Sequence, residues 1–284
     1  MIIIILLIIL AILGMPLFAI LASGGLYASH ASDLNPVVLI IEMYRLANQP
    51  NLIAIPLFTL AGITMAAGGA PKRLVTLFNA LLGWMPGGLA VVTIVSCAFF
   101  TALTGASGVT IIALGGLLYP LLKNAQYQQE FTTGLLTTSG SLGLLLPPSL
   151  AVLLYGIISG VSIDQLFLAG LLPSLLLLIL LSLYSYKSAS QWKIKPYNFS
   201  LVNLITAIKA SYWDLLLPVI IIVGIFGGIL TITEAAAITA IYTLFIETAI
   251  YKELKIKDDL FKILIDTSTL VGSILIILGV AMGL

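Results

Sequence analysis

The sequence predicts an all-α polytopic membrane protein, and three observations lead there. Of 284 residues, 61% are hydrophobic and 8% charged, against about a quarter charged in an ordinary soluble domain. Mean hydropathy is +1.20. The charges are gathered in small groups: none occurs in 1–32, 46–71, 74–122, 131–163, 165–186, 215–233 or 267–284. Several of these runs reach the roughly 20 apolar residues that a spanning helix needs, and 74–122 is long enough for two helices. Such a chain cannot clothe a globule in polar surface, which excludes a soluble enzyme, a disordered chain and a nucleic-acid binder. A net charge of +1 implies no bulk attraction to acidic partners, and the single cysteine, Cys97, excludes an internal disulfide and a cysteine metal cluster.

In chain order, the first span is expected near 2–25. Met1–Leu10 lacks a basic leading region and the apolar run continues past Ile20, so it does not read as a cleaved signal. Further helices are expected near 51–69, 165–186, 213–232, 235–251 and 267–284, with a broken helix over 131–160 and a hairpin over 87–122. Segment 71–84 reads as an amphipathic helix at the membrane interface. Segment 187–212, bearing Lys, Ser and Asn, reads as the main cytoplasmic linker. With the N-terminus in the cytoplasm, Lys72, Arg73, Lys123, Lys187, Lys193, Lys195, Lys209, Lys252, Lys255, Lys257 and Lys262 all face inward and only Arg45 faces outward. That is a strong positive-inside bias.

Two of these helices are expected to break. The first break, Phe99–Thr110, lies midway along the 74–122 run and holds only Thr, Ser, Gly and Ala at its apex. A turn reaching outer water would usually carry a charge or an Asn; small hydroxyl residues suit a turn enclosed by protein, so the tip is placed near the bilayer midplane. The second is Thr137–Ser149, where Pro147 and Pro148 remove two N–H donors. Its helix should stop near Leu144 and restart at Ser149, leaving the Gly143 and Leu144 carbonyls without partners. Helices ending near Leu103 and Leu144 would present carbonyls and negative dipole ends, suited to Na⁺. Helices restarting near Gly108 and Ser149 would present N–H groups suited to an anion, the substrate side of the site. Interrupted helices meeting at the midplane are the usual architecture of a secondary transporter. The plainer alternative is that these small residues only let helices pack closely.

At these residues the chain resembles the large membrane subunit of tripartite ATP-independent periplasmic (TRAP) transporters. The matching stretches are Ile55-Pro56-Leu57-Phe58-Thr59-Leu60-Ala61-Gly62, Gly87-Gly88-Leu89-Ala90, the Thr104–Gly108 tip, Leu142 to Ser149 with its Leu-Pro-Pro-Ser loop, Phe167-Leu168-Ala169-Gly170, and Thr233-Glu234-Ala235-Ala236-Ala237. The resemblance implies a Na⁺-driven importer of organic acids such as C4-dicarboxylates or sialic acid, in the bacterial inner membrane. It also implies two partners, a small four-helix membrane subunit and a soluble periplasmic binding protein, and an elevator movement of a hairpin-built domain against a scaffold. No cofactor is implied beyond Na⁺ as coupling ion. By the same resemblance Thr104, Gly105, Ala106, Ser107, Gly143, Pro147 and Ser149 fall where a first sodium site should be. Ala106 stands where the family tip often has a serine, so the hydroxyl ligand is either Thr104 or Ser107.

The resemblance further implies two inverted repeats, each with a tip and a Pro-Pro loop, whereas this sequence has one of each. Residues 1–186 then form the first repeat, 187–212 the linker, and 213–284 a linking helix with the start of a second repeat. On this reading the chain is a fragment, lacks a second sodium site and most substrate contacts, and does not transport alone.

Other readings are bland. Gly105-Ala106-Ser107-Gly108 matches the signature of rhomboid intramembrane proteases, but the required general base is lacking: the only histidine, His30, lies upstream in an expected outer loop. A non-transporting scaffold or docking component is the remaining alternative. Cys97 reads as a packing residue. Glu234 and Asp164 read as first-turn charges that stabilise helix dipoles. Tyr184, Tyr186 and Trp192 read as an interfacial aromatic belt.

Overall fold

The computed structural model describes residues 2–33, 35–192, 194, 198–255 and 257–283, and these residues form an all-α polytopic membrane protein. Lys193 and Lys195, expected in the cytoplasmic linker, lie outside the described residues. Among the described residues, four helices are long and apolar enough to cross a membrane: Pro50–Ala67 (counted with its leading 3₁₀ turn), Ile163–Gln191, Ile232–Ile250 and Asp259–Ala281. Two bent pairs qualify jointly. Gln129–Leu145 with Leu150–Ser159 bends by 43°, and Leu201–Ala210 with Tyr212–Phe226 bends by 64°.

The chain divides into two compact units, residues 1–53 with 265–284, and residues 54–264. In the first unit, α1 (Ile2–Ile12) and α2 (Leu17–Ala31) replace the single first span expected near 2–25, and α3 (Val37–Ala47) follows. The interruption has a local cause. Pro16 has no N–H to continue the helix, and Gly14 adopts φ +86. His30 lies exposed in the last turn of α2 rather than in a loop. Helix α14 (Asp259–Ala281) lends its last turns to this unit, where Gly279 lies against Met43.

The second unit holds α4 (Ala54–Ala67), α5 (Ala70–Leu82), α6 (Gly88–Thr104), α7 (Ser107–Asn124), α8 (Gln129–Leu142), α9 (Leu150–Ser159), α10 (Ile163–Gln191), α11 (Leu201–Ala210), α12 (Tyr212–Phe226) and α13 (Ile232–Phe245, continued by a π-helical turn to Ile250). Helix α6 is its axis and packs against α4, α5, α7, α8 and α10. Nearly all of it is buried, including Thr93, Ser96, Cys97 and Phe100. Cys97 is therefore a core residue. Helix α13 runs along α4; its buried stripe of Ala235, Ala236, Thr239 and Ala240 is small enough for close backbone approach. By contrast α10 is apolar all round with Leu172, Leu175 and Ile179 exposed, as befits a lipid-facing span.

Two polar segments take definite form. The apolar face of α5 (Leu74, Val75, Leu77, Phe78) is buried inside the protein, so this amphipathic helix is packed rather than resting on lipid by that face. The segment 187–212 is largely helical. Helix α10 continues to Gln191, and Ser200 caps α11 by accepting from the Asn203 N–H, a role suited to its short side chain. Trp192 packs edge-on against Phe131 and Tyr127 at ring separations of 5.0 and 6.2 Å.

Candidate ion site at two crossed helix breaks

Both expected breaks are present. Helix α6 ends at Thr104, Gly105 adopts the left-handed conformation (φ +68), Ala106 is extended, and α7 starts at Ser107. The tip is thus two residues long, and glycine at 105 meets its conformational demand. Helix α8 ends at Leu142, Gly143–Leu145 tightens into a 3₁₀ turn, Leu146 is extended, and Ser149 caps α9. Pro147 and Pro148 are buried between them.

The breaks meet, and their ends pair crosswise. A β-carbon at Gly105 would collide with Leu150 in the first turn of α9, so the C-terminus of α6 abuts the N-terminus of α9. A β-carbon at Gly140 would crowd Ile111 and lie 3.6 Å from the Ser107 carbonyl, so the last turn of α8 abuts the first of α7. Each negative helix end therefore faces a positive one. Gly143 lies directly on α6: a β-carbon there would overlap the Ala98 carbonyl oxygen and the Thr101 side chain.

Between these ends lies a buried cluster of oxygens. Thr101 Oγ1 donates to the Gly140 carbonyl at 2.9 Å and lies 2.8 Å from Thr110 Oγ1. Thr104 Oγ1 is 3.2 Å from Thr110 Oγ1. The Ala106 carbonyl lies 3.5 Å from Thr104 Oγ1 and 3.3 Å from Thr110 Oγ1. Thr101, Thr104 and Thr110 are buried. Three hydroxyls and two carbonyls, all hard oxygen donors, thus converge on the tip.

The sequence-derived residues distribute unevenly over this geometry. Thr104 contributes its hydroxyl and Ala106 its carbonyl, whereas Gly105 and Gly143 permit the close approach. Ser107 opens α7 and faces Gly140 with its carbonyl. Ser149 is buried, but its hydroxyl is engaged: it donates to the Leu144 carbonyl and accepts from the Val152 N–H at 3.5 Å. Gly108 is exposed, with open space where a side chain would be. The two carbonyls expected to be orphaned by the prolines are paired, because Gly143 O accepts the Leu146 N–H at 3.1 Å and Leu144 O accepts the Ser149 hydroxyl. The 3₁₀ turn and the serine replace the donors that proline removes. Sequence reasoning missed Thr101 and Thr110, although both fell within the quoted break. They flank the tip symmetrically, and a two-residue turn brings them face to face.

Glu234 takes the structural role. Its carboxylate accepts from the Thr231 N–H at 2.8 Å while Thr231 Oγ1 accepts from the Glu234 N–H at 3.3 Å, a reciprocal cap on α13. Asp164 likewise accepts from the Ser162 hydroxyl at the start of α10.

A bundle of apolar spans enclosing two mutually crossed helix breaks is the architecture usual among membrane permeases of the secondary-transporter class. The family follows directly. Residues 1–283 match the DctM component of the tripartite ATP-independent periplasmic transporters, and the chain belongs to that family, one of transport proteins and not of enzymes. It is similar to the C4-dicarboxylate TRAP transporter large permease protein DctM of Vibrio cholerae, 38% identical over 210 residues, 73% of this chain and 46% of that protein. It is also similar to the ectoine TRAP transporter large permease protein TeaC of Halomonas elongata, 35% identical over 254 residues, 88% of this chain and 59% of that protein. A third relative is the 2,3-diketo-L-gulonate TRAP transporter large permease protein YiaN of Escherichia coli, 33% identical, covering 85% of this chain and 57% of that protein. The chain spans about half the length of the curated relatives it matches.

Proposed function

We propose that the chain acts as part of the large permease of a Na⁺-coupled secondary transporter importing organic acids across the bacterial inner membrane, its N-terminus cytoplasmic. The observation that carries this reading is the cluster of five oxygens at the crossed breaks. Thr101, Thr104 and Thr110 offer hydroxyls, and Gly140 and Ala106 offer carbonyls, in a place enclosed by protein. Na⁺ takes hard oxygens of this kind at unwound helix ends. Sodium would replace hydrogen bonds among these groups, and its charge would lie at the C-terminal, negative end of α6.

The compounds in the names of the similar permeases are acids or zwitterions with an anionic group, a carboxylate in the C4-dicarboxylate, ectoine and diketogulonate and a sulfonate in isethionate, which favours an organic-acid substrate here. In this reading the substrate arrives on a soluble periplasmic binding protein, a small four-helix membrane subunit completes the permease, and the hairpin α6–α7 moves as an elevator with its bound ion. The test is thermal unfolding of the chain in lipid nanodiscs, in Na⁺ and in K⁺ at equal ionic strength. The expected result is a higher Tm in Na⁺, because an ion bound only by the native state stabilises it; equal Tm values would overturn the coupling. Uptake of a labelled dicarboxylate into proteoliposomes, with binding protein and small subunit added, then tests transport.

A further inference from the structure

A second buried polar cluster lies apart from the breaks, where the first turn of α5, the first turn of α12 and the end of α13 meet. Arg73 stands at its centre. Its Nε and Nη2 grip both oxygens of Asp214 at 2.6 and 3.0 Å, Nη2 also reaches Glu247 Oε1 at 2.5 Å, and Nη1 reaches Glu253 Oε2 at 2.5 Å. The guanidinium carbon lies 3.5 Å from the centre of the Tyr251 ring. The side chains of Asp214 and Glu247 have no exposed surface, that of Arg73 is 10% exposed, and that of Glu253 is 42% exposed. Among the described residues no other basic side chain forms an ion pair with these carboxylates.

One guanidinium therefore faces three carboxylates, two of them fully enclosed. Enclosing a carboxylate without a compensating charge is so costly that such groups take up a proton instead. The three are not equivalent. Asp214 has both oxygens on Arg73, and Glu253 is partly in water. Glu247 has one oxygen on Arg73, while its other, Oε2, is enclosed and makes no hydrogen bond. That oxygen lies against bare backbone, since a β-carbon at Gly68 would overlap it. Among the described residues, Tyr242 of α13 and Tyr251 also face the cluster, and the Tyr251 hydroxyl interacts with Asp214 as well. They donate to the Trp213 and Ala210 carbonyls at 2.9 and 2.8 Å. Helix α4, packed along α13, carries no ionisable side chain.

We propose that this cluster is a proton-binding site, in which Glu247 holds a proton on Oε2 while Arg73 sits among the three carboxylates. The proton comes from water, with half-exposed Glu253 as its point of entry, and nothing else in the cluster changes covalently. The site is independent of the sodium reading and is tested without transport. Infrared difference spectra of the full chain in lipid bilayers at neutral pH should show a protonated-carboxyl C=O band that shifts in D₂O. Glu247→Gln should abolish the band, and Glu234→Gln, at the capping carboxylate of α13 outside the cluster, should leave it. A wild-type spectrum with no such band overturns the proposal, and so does a band that survives in Glu247→Gln. The wild-type measurement decides even if the variant does not fold.

Discussion

Gly62 on α4 and Thr104 at the end of α6 are in backbone contact: a β-carbon at position 62 would overlap the Thr104 α-carbon. The crossing of these helices places the last turn before the tip, and with it the Thr104 hydroxyl. Backbone cannot yield as a flexible side chain can. Gly62→Ala should therefore destabilise the protein by about 1–3 kcal/mol, the usual cost of overpacking, read as a lowered Tm in nanodiscs. An unchanged Tm would show that the two helices separate freely.

The oxygen cluster separates the two hydroxyls that the tip sequence offers. Thr104 Oγ1 lies within it, 3.2 Å from Thr110 Oγ1, whereas Ser107 opens the next helix and faces α8 with its backbone. Thr104→Val should therefore shrink the Na⁺-dependent rise in Tm, and Ser107→Ala should leave it as in the wild type. The reverse outcome would move the ligand to Ser107.

Thr101 ties the two breaks together. Its hydroxyl is buried, donates to Gly140 of α8 and touches Thr110 of α7. Thr101→Val keeps the shape but removes the donor, which should cost about 1–3 kcal/mol if the Gly140 carbonyl is left unsatisfied. Thr101→Ser should restore most of that stability. Equal loss in both variants would show that the methyl group, not the hydroxyl, matters.

Much of this architecture was legible from the chain because the bilayer leaves few options. Charge-free runs marked the spans, and Pro147-Pro148 marked the second break. Other features were not legible because they depend on partners distant in sequence. The Gly143 and Leu144 carbonyls were expected to be free, yet a 3₁₀ turn and the Ser149 hydroxyl take them up, and neither partner follows from the loss of a helical donor alone. Arg73 read only as a charge marking the cytoplasmic side. Its carboxylate partners are 141, 174 and 180 residues away, so periodicity and spacing carry no trace of them. The apolar face of α5 was visible as a pattern, but whether lipid or protein covers such a face is decided by the tertiary fold.

Arg73 carries the last and largest expected effect. Replacing it with Gln leaves Asp214 and Glu247 enclosed without their cation, and removing one partner of a buried ion pair costs about 3–5 kcal/mol. Arg73→Lys keeps the charge but not the planar fork that holds both oxygens of Asp214 while reaching two other carboxylates. It should fall between wild type and Arg73→Gln. The measurement is the Tm of each variant in nanodiscs, together with that of the double variant Arg73→Gln with Asp214→Asn, in which one buried charge is removed along with the cation. If the penalty arises from uncompensated charge, the double variant should recover part of the loss. If it is no more stable than Arg73→Gln alone, the cost lies in lost packing of the guanidinium against Tyr251 rather than in electrostatics.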